Sequence, residues 1–137
     1  MKGLGNMTQG QALKAYFAVN ELNKQTFSGQ TAKKIFNLFE KLKPAYNFSA
    51  QEEKKIFERY PQFDPTINGC PIKDPNNKNE IEAAKRVAKE VDKALTELNE
   101  LPFEIEFEPF TISAEEQTNL KISGQFIGYL QGLIEFE

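Results

Sequence analysis

The sequence predicts an α+β fold that is mostly helical, with four to five helices and a small antiparallel β-sheet. Apolar residues recur at helical spacing along most of the chain, whereas residues 103–108 alternate between apolar and acidic. A chain of 137 residues, 39% of them hydrophobic, is long enough to bury one core. We therefore expect a flexible tail over residues 1–7 and a single domain over residues 8–137.

Three helices are predicted in the first 60 residues. Thr8 followed by Gln11 is typical of a capping box, which predicts a helix over 9–24. Apolar residues at helical spacing predict a second helix over 30–43, which Pro44 ends or bends. A second capping box, Ser49 with Glu52, predicts a third helix over 50–60.

Residues 61–78 form the irregular part of the predicted fold. Four of the seven prolines lie here, together with Asn68-Gly69, which is a strong signal for a tight turn between strands. These features predict a short hairpin over 66–73. Because proline has no backbone N–H to donate, the hairpin must be short and its edges exposed.

A long helix is predicted over 80–99, with Asn79 as its N-cap. Its apolar stripe repeats every three or four residues: Ile81, Ala84, Ala88, Val91, Leu95 and Leu98. Such a stripe either packs on its own domain or forms a seam with another copy. The second alternative makes four residues interface candidates: Ala84, Ala88, Val91 and Leu95.

The stretch "PFEIEFEPF" predicts a strand over 103–108, with the hairpin 66–73 as its partner. Period-two alternation would bury Phe103, Ile105 and Phe107 and leave Glu104, Glu106 and Glu108 in water. Three carboxylates on one face could also hold a hard cation or act in catalysis. No Asp-rich loop accompanies them, so the solvated face is the favoured interpretation.

The last segment contains two further helix starts. Ser113 with Glu116 is a third capping box, and Ser123 is expected to cap a helix over 124–134. Gly124, Gly128 and Gly132 recur every fourth residue in that helix. This spacing predicts close packing against another part of the domain.

These elements together predict the hydrophobic core. Its members are Leu13, Phe17, Ile35, Phe39, Leu42, Ile56, Phe57, Ala84, Val91, Leu95, Phe103, Ile105, Phe107, Leu130 and Ile134.

Several chemistries are disfavoured by composition. The chain has no histidine, so it lacks the commonest general base and transition-metal ligand, and Cys70 is its only cysteine. We assign no catalytic residue, no metal ligand and no cofactor. No window is long and apolar enough for a membrane span, and "MKGLGNMTQGQ" lacks the apolar run of a signal peptide. A cytoplasmic protein is expected.

Charge is distributed unevenly, with a net of +5 over residues 1–60 and −7 over residues 100–137. Lysine outnumbers arginine fifteen to two, which does not favour a nucleic-acid surface. The candidate anion-binding residues are Lys33, Lys34, Lys41, Lys54, Lys55 and Arg59. The alternative is that these side chains lie on solvent-exposed helix faces and bind no ligand.

The layout resembles a family of small phage and prophage proteins of unknown function from low-GC bacteria. Three stretches carry the resemblance: "ALKAYFAVNELNKQTFSGQTAKKIFNLFEKLKP", "KKIFERYP" before an Asn-Gly turn, and "ALTELNELPFEIEFEPFTIS" followed by "LKISGQFIGYLQGLIEF". It covers most of residues 8–136 and consists of apolar positions, without catalytic residues. The resemblance implies an accessory or structural phage protein that acts by binding.

Three functions are open from the sequence. The first is a non-enzymatic protein that binds a virion component, a host factor such as a defence protein, or another copy of itself. The second is a sponge that sequesters an anionic nucleotide-type immune signal, with basic residues and aromatic rings as its site. The third is a hydrolase that uses only carboxylates, from Glu104, Glu106 or Glu108.

Overall fold

The computed structural model describes residues 3–137 and confirms the α+β, mostly helical fold. Four helices are present in the described chain: α1 (Gln9–Asn23), α2 (Gly29–Arg59), α3 (Lys78–Glu100) and α4 (Gly124–Tyr129). The strands are β1 (Gly3–Thr8), β2 (Pro102–Phe107), β3 (Phe110–Ile112) and β4 (Ile134–Phe136). They form two small sheets, one antiparallel pair of β1 with β2 and one parallel pair of β3 with β4.

Helix α1 begins at the predicted capping box and lies at the centre of the fold. The Gln11 backbone N–H donates to Thr8 Oγ1 at 3.1 Å, and the Thr8 N–H donates to Gln11 Oε1 at 2.9 Å. The helix packs against α2, α3 and α4. Gly10 allows α1 to approach α3 closely, because a Cβ added there would lie 3.1 Å from the Asn99 Cβ.

The predicted separate helices over 30–43 and 50–60 are wrong, because α2 runs unbroken through Pro44. A proline inside a helix removes the hydrogen bond to the carbonyl four residues earlier. Pro44 and Glu40 are both exposed, so solvent can take the place of the missing donor. Ser49 does not cap a helix, since it is buried in the middle of α2.

The strand over 103–108 is confirmed within one residue as β2, but its predicted partner is wrong. β2 pairs with β1, with Gly5 opposite Ile105 and Met7 opposite Phe103. Residues 3–7 of the expected flexible tail therefore belong to a strand, while Met1 and Lys2 lie outside the described residues.

The predicted hairpin over 66–73 is replaced by one tight turn. Asp64 and Gly69 form an isolated antiparallel bridge, and Asn68 adopts a positive φ of 52°. The Asp64 carboxylate accepts hydrogen bonds from the N–H and hydroxyl of Thr66. The Asn-Gly signal thus marks a real turn, but prolines on both sides prevent strands from extending.

Helix α3 is confirmed, with its N-cap at Asn77 in place of Asn79. Its stripe packs within the chain against the second half of α2. The four buried members of this smaller core are Ile56, Phe63, Val91 and Leu98. The larger core gathers around α1, α2, β2 and the C-terminal segment.

The predicted helix over 124–134 begins at its Ser123 cap but ends early, at Tyr129. Gly132 has a φ of +85°, a left-handed conformation that stops a helix, and β4 follows. The close packing expected along the glycine stripe is wrong. A Cβ at Gly124, Gly128 or Gly132 would meet nothing within 4 Å.

Most predicted core residues are buried or half-buried, but Phe17 is a clear error because 44% of it is exposed. The side of α1 that is buried instead carries Ala12, Ala15, Val19 and Leu22.

Candidate functional site

The glutamates of the predicted strand 103–108 face solvent, two of them in β2 and Glu108 just after it. Glu104, Glu106 and Glu108 are exposed, whereas Ile105 and Phe107 are buried. Within residues 3–137, no three His, Cys, Asp or Glu side chains come together in a way that could hold a metal ion. The alternation in "PFEIEFEPF" therefore describes a strand with one face in the core and one in water.

The six candidate anion-binding residues all lie on α2 and are exposed, but they do not converge on one place. Lys34 and Lys54 are separated by twenty residues, which is about 30 Å of helix. Near the C-terminal end of α2, Lys55 pairs with Glu52 at 3.1 Å, and the Arg59 guanidinium lies 6.0 Å from the centre of the Tyr60 ring. Two of the six, Lys34 and Lys41, line a common cavity.

That cavity, which we call the α2 groove, has a volume of about 800 Å³, against about 450 Å³ for the hollow beside Gly132. It lies between α2 and the chain that links β2 to β3. Its lining comprises Lys34, Asn37, Leu38, Glu40, Lys41, Phe107, Glu108, Pro109, Phe110 and Thr111. The groove therefore combines an apolar floor with charged and amide groups, which is typical of ligand sites.

Both lysines of the α2 groove are held by the opposite wall. Lys34 Nζ lies 6.0 Å from the centre of the Phe110 ring. Lys41 Nζ donates a hydrogen bond to the main-chain carbonyl of Glu106. Each ammonium group thus reaches across from α2 to the β2–β3 segment.

The four interface candidates on α3 differ in their surroundings. Val91 is only 1% exposed and belongs to the smaller core. Ala88 and Leu95 pack against that core and are half-buried, as is Ala84. The stripe is therefore used largely inside the chain.

A different apolar surface, which the sequence did not point to, lies across α1 and α2. We call it the aromatic face and define it as Tyr16, Phe17, Phe39 and Tyr46. The Tyr16 ring lies between Phe39 and Tyr46, with ring centres 5.0 and 4.8 Å away, and the Phe17 ring meets Tyr46 edge-on at 5.9 Å. Despite these contacts, Phe17 is 44% exposed and Tyr46 39% exposed.

One signal could have revealed the aromatic face. Residues 12, 15, 19 and 22 of α1 form a regular stripe of small and aliphatic side chains, which competes with the stripe of Leu13, Tyr16, Phe17 and Asn20. Small residues allow neighbouring helices to approach closely, so the alanine stripe faces the core and Phe17 is turned outward.

The chain matches no protein-family model, no curated protein and no solved structure. In the described part of the chain, no helix has the length and apolarity needed to cross a membrane.

Proposed function

We propose that this protein is a non-enzymatic binding protein that contacts a protein partner through the aromatic face. The observation that carries the proposal is the exposure of Phe17 and Tyr46 on two helices that also build the core. Large aromatic side chains are favoured at the centres of protein interfaces, where their burial contributes much of the binding free energy.

The aromatic face is also rigid, which supports the same role. Tyr16 is stacked between two rings of α2, so the four rings fix one another's positions. Phe36, 49% exposed, lies three residues before Phe39 and extends the exposed aromatic surface along α2. A preorganised surface loses little conformational entropy on binding.

The absence of histidine from the sequence supports the non-enzymatic part of the proposal. The phage-type setting rests on the sequence resemblance alone. In that setting the partner would be a virion component or a host factor, with host-defence proteins among the candidates.

Affinity capture with two matched double variants tests the proposal. F17S/Y46S removes the exposed rings of the aromatic face, whereas I67S/I72S removes two exposed apolar side chains from the 61–77 segment. We expect the wild type and I67S/I72S to retain the same partner and F17S/Y46S to lose it. Native mass spectrometry of each protein identifies the case in which the partner is a second copy. Equal retention by F17S/Y46S would overturn the proposal.

A further inference from the structure

The tight turn after Asp64 contains the one Asn-Gly dipeptide of the sequence, and the Asn68 side chain is exposed. An asparagine side-chain amide is open to attack by the main-chain nitrogen of the next residue, which closes a five-membered imide ring. Glycine favours this attack, because it has no side chain to hinder the approach and leaves the backbone the most freedom to bend. Among the asparagines of the chain, Asn68 therefore has the most reactive sequence context.

The closed turn holds the two reacting groups apart. Asn68 has a φ of 52°, and in this left-handed conformation the N–H of the following residue points away from the asparagine side chain. The Gly69 N–H also donates to the Asp64 carbonyl at 3.3 Å, and the Asp64 N–H donates to the Gly69 carbonyl at 2.7 Å. Attack on the Asn68 amide therefore requires the turn to open.

Few interactions keep this turn closed. The bridge between Asp64 and Gly69 is isolated, so no neighbouring strand pairs support it, and residues 65–68 are exposed. The Asp64 carboxylate adds two bonds within the turn, from the Thr66 N–H at 2.9 Å and the Thr66 hydroxyl at 2.6 Å. Exposed turns with few buried contacts open locally, without unfolding of the whole protein.

We propose that Asn68 is a spontaneous modification site, at which the side-chain amide is converted to a carboxylate when the turn opens. The Gly69 nitrogen loses its proton and forms a bond to Asn68 Cγ, and the side-chain nitrogen leaves as ammonia. Water then opens the imide at either carbonyl carbon. One opening gives aspartate, and the other gives isoaspartate, in which the main chain runs through the side chain. The reaction consumes one water molecule and requires no oxidant, enzyme or cofactor.

The two products differ in their effect on the smaller core. Asn68 lines a hollow beside α3, where each product adds a negative charge. Aspartate tolerates the left-handed conformation and keeps the turn. Isoaspartate adds one carbon atom to the main chain, which shifts the register of the bridge between Asp64 and Gly69. Because Phe63 directly precedes this bridge and its ring stacks on Phe57 with ring centres 5.8 Å apart, isoaspartate loosens the smaller core.

Peptide mapping by mass spectrometry, after prolonged incubation of the folded protein at neutral pH, tests the proposal. We expect the mass gain of an amide-to-carboxylate change in the peptide that contains Asn68, with both aspartate and isoaspartate at that position. Peptides that contain the other asparagines should remain largely unchanged. Conversion of Asn68 should be at least about tenfold faster in the urea-unfolded protein, because the closed turn no longer protects the amide.

Three variants separate the chemistry from the opening of the turn. Gly69→Ala should lose most of the conversion, and the fold accommodates it, because the nearest atom to an added Cβ is the Ile67 carbonyl oxygen at 3.9 Å. Asp64→Ala removes both bonds that its carboxylate accepts and should speed conversion at least about fivefold. Asp74→Ala removes a similar bond, from the Asn76 N–H at 3.0 Å, in a separate turn and should change the rate less than about twofold.

Urea unfolding verifies that each variant is folded. If Asp64→Ala does not fold, Thr66→Ala takes its place, because it removes only the hydroxyl bond within the turn and should speed conversion more than Asp74→Ala. Three results would overturn the proposal: no conversion of Asn68 in the folded protein over a time in which the unfolded chain converts, equal conversion in Gly69→Ala and the wild type, or equal rates in the variants of the two turns. None of them bears on partner capture by the aromatic face.

Discussion

The side chain of Gln9 donates a hydrogen bond to Ser49 Oγ over 2.8 Å, which joins the first turn of α1 to the middle of α2. The same Gln9 amide also donates to the Ala45 carbonyl. Gln9 and Ser49 are 3% and 2% exposed, so no solvent replaces these bonds when one partner is removed.

Removal of either side chain of the Gln9–Ser49 pair should lower the free energy of unfolding, because both are buried. We expect Gln9→Ala to lower the free energy of unfolding by about 2 kcal/mol, because it removes the two buried hydrogen bonds that the Gln9 amide donates, and Ser49→Ala by about 1 kcal/mol. Urea unfolding of the two single variants and the double variant measures the coupling. Gln131→Ala, at an exposed position, should change stability by less than about 0.5 kcal/mol. Additive losses from Gln9 and Ser49 would contradict the account.

Replacement of Pro44 should stabilise the protein. Alanine restores the N–H that can donate to the Glu40 carbonyl, while the greater freedom of the unfolded chain offsets part of the gain. We expect Pro44→Ala to raise the free energy of unfolding by about 1–2 kcal/mol. The matched change Pro61→Ala, just beyond the end of α2, should not stabilise. A neutral or destabilising Pro44→Ala would contradict the expected net gain from the restored hydrogen bond.

Substitutions in α3 distinguish a core stripe from a seam between copies. Val91→Ala should lower the free energy of unfolding by about 1–3 kcal/mol, because Val91 is buried in the smaller core. Val87→Ala, at a half-buried position one turn earlier, should cost less than half as much. A change in oligomer mass with unchanged stability would instead identify the stripe as an interface.

Glu116 should make the protein sensitive to acid. The Thr31 hydroxyl at 2.8 Å and the Ser28 N–H at 3.1 Å donate to its carboxylate and hold the pKa of Glu116 below its ordinary value of 4.5. Because the folded pKa is lower than the unfolded one, this contribution to stability is complete above pH 4.5 and is lost as the pH falls through the folded pKa.

The variant Glu116→Gln isolates that contribution. A neutral amide is a weaker acceptor, so the variant should have a lower urea midpoint than the wild type at neutral pH, and the difference should shrink in acid. Glu115→Gln, at the adjacent exposed position, is the matched control and should have the urea midpoint of the wild type at neutral pH. A difference that stayed constant down to strongly acidic pH would contradict the role of the charge.

Elements specified by neighbouring residues were predictable from the sequence. The caps at Thr8 and Ser123, the long stripe of α3 and the alternation of β2 depend on spacings of two to four residues. The continuity of α2 was not predictable, because Ser49 followed by Glu52 has the local pattern of a cap, whereas in the fold Ser49 lies inside the helix and accepts a hydrogen bond from Gln9, forty residues away.

The candidate sites, like the fold, were only partly predictable from the sequence. Lysines on α2 could be found from composition, but only the fold shows that Lys34 and Lys41 share a groove with the β2–β3 segment and that Lys54 and Lys55 do not. The pairing of β2 with β1 and the aromatic face both depend on contacts between distant segments. Phe17 was assigned to the core because the sequence of α1 allows either side of the helix to be buried.

Site-specific photo-crosslinking at position 17 tests the central claim most directly. A photoreactive phenylalanine analogue replaces Phe17 in one protein and Ile67, which is 59% exposed, in a control. The cells that naturally contain the protein are then illuminated. The account predicts a discrete covalent adduct with one partner, or with a second copy, from position 17 and none from position 67. No adduct at position 17, or the same adducts from both positions, would contradict it.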